Sequence, residues 1–232
     1  MISQEINKQS GFILINKPIN ITSHDVIDVL RRLTNIRKIG HAGTLDPLAS
    51  GLLIVAIGRT ATREINQLVK LDKEYEAVFC LGQTTDTYDA EGQIIKEYAG
   101  PAVALANIEK TLLQFLGKQQ QIPPMYSAKK INGQKLYQLA RQGRVVERQP
   151  ADIIINSLTI LDYHWPYLSL RINCSSGTYI RSLAFDLGQS LGCGAYMKDL
   201  FRSRIGNYDI KKAVKLKDLT ADNWTHYLQQ LV

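Results

Sequence analysis

An α+β fold, a mixed and mainly antiparallel sheet with flanking helices, is predicted for this 232-residue chain by three observations. Short apolar or alternating segments bounded by Gly, Pro, Asn and Asp recur along it, at least seven of them, and read as strands. Four or five stretches with helical spacing are scattered among them without the repeating strand–helix–strand rhythm of a parallel sheet. Apolar residues make up 45% of the chain, enough at this length to bury a core and to exclude wholesale disorder.

Gly11–Asn16 is an apolar run closed by Lys17-Pro18, a buried strand ending in a turn. Thr22 or Ser23 caps the helix that follows, with Val26, Val29, Leu30 and Leu33 on one face. From Asn35 to Pro47 the apolar periodicity disappears, so this is a loop feeding the strand Leu52–Ile57. Thr60–Val69 reads as a short helix and Tyr75–Leu81 as a strand, and Asp86–Gly92 has hairpin chemistry leading into the strand Gln93–Tyr98. Ala102–Leu116 is the clearest long helix, with Gly117 closing it, and Pro123-Pro124 ends the strand after it. A short basic helix at Leu136–Ala140, strands at Ile153–Ile155 and Leu168–Cys174, and a helix from Thr178 complete the pattern. One catalytic-size domain over residues 1–210 is expected, with 211–232 as a short appendage.

The net charge is +7, from 28 Lys and Arg against 21 Asp and Glu. Most of this surplus lies in two clusters. Lys129, Lys130, Lys135, Arg141, Arg144 and Arg148 form the first, interleaved with Tyr126 and Tyr137; Lys198, Arg202, Arg204, Lys211, Lys212, Lys215 and Lys217 form the second. Cations with aromatic rings between them suit phosphates and unpaired bases, although a solvated basic face has the same composition. The longest near-apolar run, Leu48–Ile57, is interrupted by Ser50 and Gly51 and is far short of the roughly 20 residues of a membrane span. The first residues lack the pattern of a secretory signal, so the expected location is cytoplasmic. Cys80, Cys174 and Cys193 are widely spaced and read as reduced packing residues. The four histidines make no metal-binding pattern, and no nucleotide fingerprint is present, so neither metal nor cofactor is expected.

The most unusual segment is Gly40-His41-Ala42-Gly43-Thr44-Leu45-Asp46-Pro47-Leu48-Ala49-Ser50-Gly51. Its glycines permit close backbone approach, and Pro47 pushes Asp46 away from helical geometry, which sets the direction of its carboxylate. A carboxylate so placed is either a turn residue or a nucleophile or base.

This loop resembles the signature of the TruB family of tRNA pseudouridine synthases. Companion segments resemble the same family in the same order: Asn16-Lys17-Pro18 with Thr22-Ser23, Lys73-Glu74-Tyr75, Gly82 with Asp86 and Asp89, Pro123–Ala128, Tyr137 with Ala140-Arg141, Ser176–Arg181, and Leu200 with Arg202-Ser203 and Gly206. The resemblance covers residues 11–210. The chain departs from the family's usual pattern at Asn20, where Gly is common; Asn tolerates positive φ, so the turn should survive. Family members often carry a C-terminal RNA-binding domain of the PUA type, and no full one is expected in the residues after Ile210. Guide-RNA-dependent relatives usually have Lys-Val where this loop has Leu48-Ala49, so no guide RNA is expected.

The resemblance implies a pseudouridine synthase catalytic fold and conversion of the T-loop uridine at tRNA position 55, with the T-arm as the partner of a monomeric enzyme. Asp46 becomes the essential carboxylate, which attacks C1′ or removes the C2′ proton. Tyr75 stacks on the target base and takes part in removing the C5 proton, a role in which a phenol, a weak base, needs help from its surroundings. Arg181 keeps Asp46 ionised, and Asp89 shares that guanidinium. Tyr179 and Leu200 line the base pocket, and His41 helps displace nucleotides from the loop stack. The alternative is a non-catalytic RNA-binding or RNA-folding factor with the same basic surface. A hydrolase built on Asp46 and His41 lacks a third member for a triad.

Overall fold

The computed structural model describes residues 10–230 except 128, 129, 132 and 145; the side chains of 130, 131, 135, 137 and 141 are also outside the described set. In chain order the elements are β1 (Gly11–Lys17), α1 (Ser23–Thr34), β2 (Ile39–His41), β3 (Ser50–Ile57), α2 (Gly58–Val69), β4 (Lys73–Leu81), β5 (Gln83–Thr85), β6 (Ile94–Glu97) and α3 (Leu105–Leu112). They continue with β7 (Gly117–Gln121), β8 (Lys130–Ile131), β9 (Gln134–Lys135), α4 (Leu136–Arg141), β10 (Ala151–His164), β11 (Tyr167–Cys174), α5 (Ile180–Ser190), β12 (Ala195–Ile205), β13 (Tyr208–Asp209) and β14 (Val214–Lys215). Antiparallel pairings predominate and helices are few, as the patterning predicts.

The chain divides into two compact units, residues 1–75 with 200–232, and residues 76–199. In the first, β1 and β3 pair antiparallel along their whole length, Gly11 opposite Ile57 and Lys17 opposite Gly51. Successive side chains of a strand point to opposite faces, and here both faces are covered. Ile13, Ile15, Leu53, Val55 and Ile57 pack with Val26, Ile27 and Leu30 of α1. Phe12, Leu14, Leu52, Ile54 and Ala56 pack with Ala61 and Leu68 of α2. Burial on both sides explains why these strands read as unbroken apolar runs rather than alternating ones.

α1 starts in a capping box: the Asp25 amide donates to Thr22 Oγ1 at 3.0 Å, and the Thr22 amide donates to Asp25 Oδ2 at 2.7 Å. The Thr22 hydroxyl, donating to Asp25 Oδ2 at 2.7 Å, and then the Thr22 amide hold the Asp25 carboxyl below its usual range. Residues 210–230 pack on this unit. Val214 pairs in parallel with Ile15, Trp224 is buried in the α1 face of the core, and Gln229 bridges Phe12.

In the second unit β10 pairs antiparallel with β7 and with β11, and β5 pairs with β6. Leu168, Leu170, Ile172 and Cys174 of β11 are buried, as their alternation predicts, and so are Ile180, Leu183, Ala184 and Leu187 of α5. All three cysteines are free and buried.

Four expectations need correction. The segment 35–47 contains a short strand, β2, because His41 and its neighbours find open partners on β3. The helix expected over 102–116 is α3 followed by a single 3-10 turn, Leu113–Phe115; Leu116 is extended and 39% exposed. The strand expected at 153–155 runs on to His164, because β11 pairs with its distal part. β12 was not expected at all: Lys198, Asp199, Arg202 and Arg204 break its apolar alternation, and one of these, Arg202, points inward. No helix among the described residues is long and apolar enough to cross a membrane.

Candidate active site

The loop between β2 and β3 is held by side chains from remote parts of the chain. Ser23, at the first turn of α1, donates from Oγ to the Leu45 carbonyl at 3.0 Å and accepts from the Leu45 amide at 2.8 Å. The Asn20 amide donates to the Pro47 carbonyl at 2.8 Å. Asn20 takes φ 65, so the Asn-for-Gly departure leaves the turn intact. Lys17, fully buried, closes that same turn by donating from Nζ to the carbonyls of Pro18 and Ile21. On the other side Arg202 donates from Nε to the Leu52 carbonyl at 2.7 Å and from Nη2 to the Gly43 carbonyl at 3.1 Å, with a longer Nη1 contact to the Thr44 carbonyl at 3.5 Å.

Asp46 lies between these anchors and is half-buried, while the adjacent backbone is tethered. His41, at the end of β2, is half-buried; burial above all, and then the charges of Arg202 and His24, push its imidazole below the usual range. It is therefore neutral at physiological pH. Tyr75 on β4 is 8% exposed, and Leu200 on β12 is half-buried and so outside the buried core. These four residues belong to the first unit.

Asp89, Tyr179 and Arg181 belong to the second. Arg181 Nη1 donates to Asp89 Oδ2 at 2.9 Å, and both side chains are almost wholly buried. Its Nη2 donates to the Tyr126 carbonyl at 2.7 Å. Asp89 Oδ1 also accepts from Thr87 Oγ1 at 2.6 Å and from the Glu91 amide at 3.1 Å. This carboxylate fixes the guanidinium by pairing and hydrogen bonding together. Half-buried Tyr179 is fixed by Gln121, whose side chain donates to the Tyr179 carbonyl at 3.0 Å and accepts from its amide at 2.8 Å.

Sequence reasoning missed Ser23 as an anchor, Gln121 entirely, and the true place of Arg202. Arg202 was counted in the second basic cluster, yet it is 1% exposed and donates to backbone carbonyls. No signal in the sequence marked its inward turn, because the strand that carries it was itself not expected. Lys211, Lys212, Lys215 and Lys217 of the same cluster are exposed. In the first cluster Arg144 is exposed and Arg148 donates to the Pro123 carbonyl; Lys129 and the side chains of Lys130, Lys135, Tyr137 and Arg141 fall outside the described residues. Among the described residues no three His, Cys, Asp or Glu side chains are grouped to hold a metal ion.

A tethered loop presenting one carboxylate has the chemistry that nucleophilic or base catalysis requires. Two comparisons make that class specific. The model of the TruB family pseudouridylate synthase N-terminal domain matches residues 31–180, and that of the tRNA pseudouridylate synthase B C-terminal domain matches 181–232. The curated tRNA pseudouridine synthase B of Protochlamydia amoebophila is 48% identical over 204 residues, covering 88% of this chain and 77% of that one. The protein of that name from Endomicrobium trichonymphae is 45% identical, with 94% of each chain covered. The chain belongs to the TruB family of pseudouridine synthases. Among solved structures, a Cbf5–Nop10–Gar1 complex superposes with a TM-score of 0.71 at 29% identity, and an H/ACA RNP bound to a substrate RNA containing 2′-deoxyuridine with 0.70 at 27%. Each match covers 97% of this chain, which spans only 56% of the other.

Proposed function

We propose that this chain is the isomerase that converts the T-loop uridine at tRNA position 55 to pseudouridine, with Asp46 as the essential carboxylate. The observation that carries this reading is the half-buried Asp46 on a loop anchored at Gly43, Leu45 and Pro47, in a chain of this family. In the reaction the N1–C1′ bond breaks, the uracil turns, and C5 bonds to C1′; the C5 proton leaves and N1 gains one. Asp46 attacks C1′ or removes the C2′ proton. Tyr75 stacks on the base, Arg181 supplies the positive charge that keeps Asp46 ionised while Asp89 orients it, and Tyr179 and Leu200 line the base pocket. His41, neutral and at the loop's edge, fits a role as a stacking or hydrogen-bonding wedge.

The target nucleotide is flipped out, at a cost of a few kcal/mol that a partly unstacked T-loop reduces. The exposed Lys211, Lys212, Lys215 and Lys217 offer phosphate contacts. The reading further holds that the enzyme works as a cytoplasmic monomer on the T-arm without a guide RNA, and that residues 1–210 carry the chemistry. A binding-only factor is not favoured, since the relatives carry the synthase name.

Carbodiimide labelling of a tRNA transcript after incubation tests this, because the isomerisation leaves mass unchanged. Wild type should label position 55, and Asp46→Asn should leave it unlabelled while binding RNA within about tenfold, or 1.4 kcal/mol. Labelling by the Asn variant removes Asp46 from its role; a wild-type protein that binds without labelling supports the binding-only factor.

A further inference from the structure

We propose that Arg202 is the positioning residue for Asp46, a buried guanidinium that sets where the loop's carboxylate stands by gripping the backbone two and three residues before it. This rests on the reading of Asp46 as the catalytic carboxylate. Arg202 Nε binds the Leu52 carbonyl on β3, while Nη2 and Nη1 reach the Gly43 and Thr44 carbonyls on the loop. One planar group thus joins the loop's start to the strand that follows it. The anchor's own position is set by parallel pairing, with Arg202 opposite Gly51 and Phe201 opposite Ser50. Gly51 has φ +105, and a Cβ there would stand 2.3 Å from the Arg202 carbonyl oxygen, so only glycine allows this approach.

The arrangement is costly for a purely structural purpose. A cation 1% exposed has lost its hydration and is compensated by carbonyl dipoles. What it provides is geometry: the fork reaches two successive loop carbonyls at once, and a displacement of about 1 Å at a reacting group can cost about a hundredfold in rate. Ser23 supplies the opposing anchor at Leu45, so the residue directly before Asp46 and the two before that are each held. A lysine at position 202 retains the charge, but one ammonium cannot reproduce the fork.

The test compares Arg202→Lys and Arg202→Gln with wild type in single-turnover assays at saturating tRNA, alongside RNA affinity and amide hydrogen exchange. The expected result is a rate loss of at least about tenfold with affinity within about threefold. Exchange should quicken at the Leu45 amide while Leu53–Ile57 stay protected. Wild-type rates in both variants overturn the proposal, and so does a failure of both to fold or a uniform rise in exchange, which would make Arg202 a core residue only. Asp46→Asn is measured in parallel. Turnover there overturns the reading of Asp46, whereas a dead Asp46→Asn beside a fully active Arg202→Lys overturns the positioning role alone.

Discussion

Ser23 and Leu45 are joined at both backbone atoms of the leucine, the serine Oγ donating to the carbonyl at 3.0 Å and accepting from the amide at 2.8 Å across 22 residues of sequence. Ser23 is 2% exposed, so neither bond is readily replaced by water. Ser23→Ala should therefore lower stability by about 1–3 kcal/mol, the cost of leaving buried polar groups unmet. Urea unfolding measures this, and a midpoint unchanged from wild type would show that the loop does not depend on the serine. The rate of modification should fall with it while tRNA affinity holds.

Tyr75 is nearly buried on β4. Tyr75→Phe keeps the ring face and loses the hydroxyl, so modification slows with binding intact. Tyr75→Leu removes the face as well and should be slower still, because stacking on a base is worth about 1–3 kcal/mol. Equal rates in the two variants would remove the stacking role.

The Arg181–Asp89 pair is 6% and 2% exposed, so breaking it leaves a buried charge without its partner. Asp89→Asn should cost about 3–5 kcal/mol. Combining it with Arg181→Met should recover part of that loss, since the buried charge is then gone too. A thermal melt of the single and double variants decides: no recovery in the double variant would mean that the pair's hydrogen bonds, not its charges, carry the stability.

Asp186 sits half-buried beside Phe115 and Phe185, where burial raises its carboxyl to about 6 from the usual 3.8. Between those values the folded state holds more protons than the unfolded chain, so stability falls as pH rises through that window. Asp186→Asn removes the penalty. The variant should be more stable than wild type at pH 7.5, by roughly 1 kcal/mol at a site this open to solvent, and equal to it near pH 3.5. Equal stability at both pH values would show that the carboxylate is fully solvated.

The local chemistry of the chain was legible without coordinates. The Thr22 cap, the positive-φ turn at Asn20, the alternation of β11, the α5 stripe and the loop holding Asp46 each depend on residues close in sequence. Each therefore leaves a pattern in residue type and spacing, and the ordered segments together carried the family resemblance. The Asp89–Arg181 pair was also anticipated, because it joins two charged residues of those segments.

Tertiary structure alone decided which polar groups turn inward and what they hold. Arg202 meets the carbonyls of Gly43 and Leu52 from about 150 positions away, and Gln121 meets the backbone of Tyr179 across 58. A backbone carbonyl is the same at every residue, so a side chain that binds one leaves no complementary residue to be read. In the sequence Arg202 is one more cation in a basic run. Pairing of β12 with β3 turns it inward, and its charge then serves the loop rather than solvent.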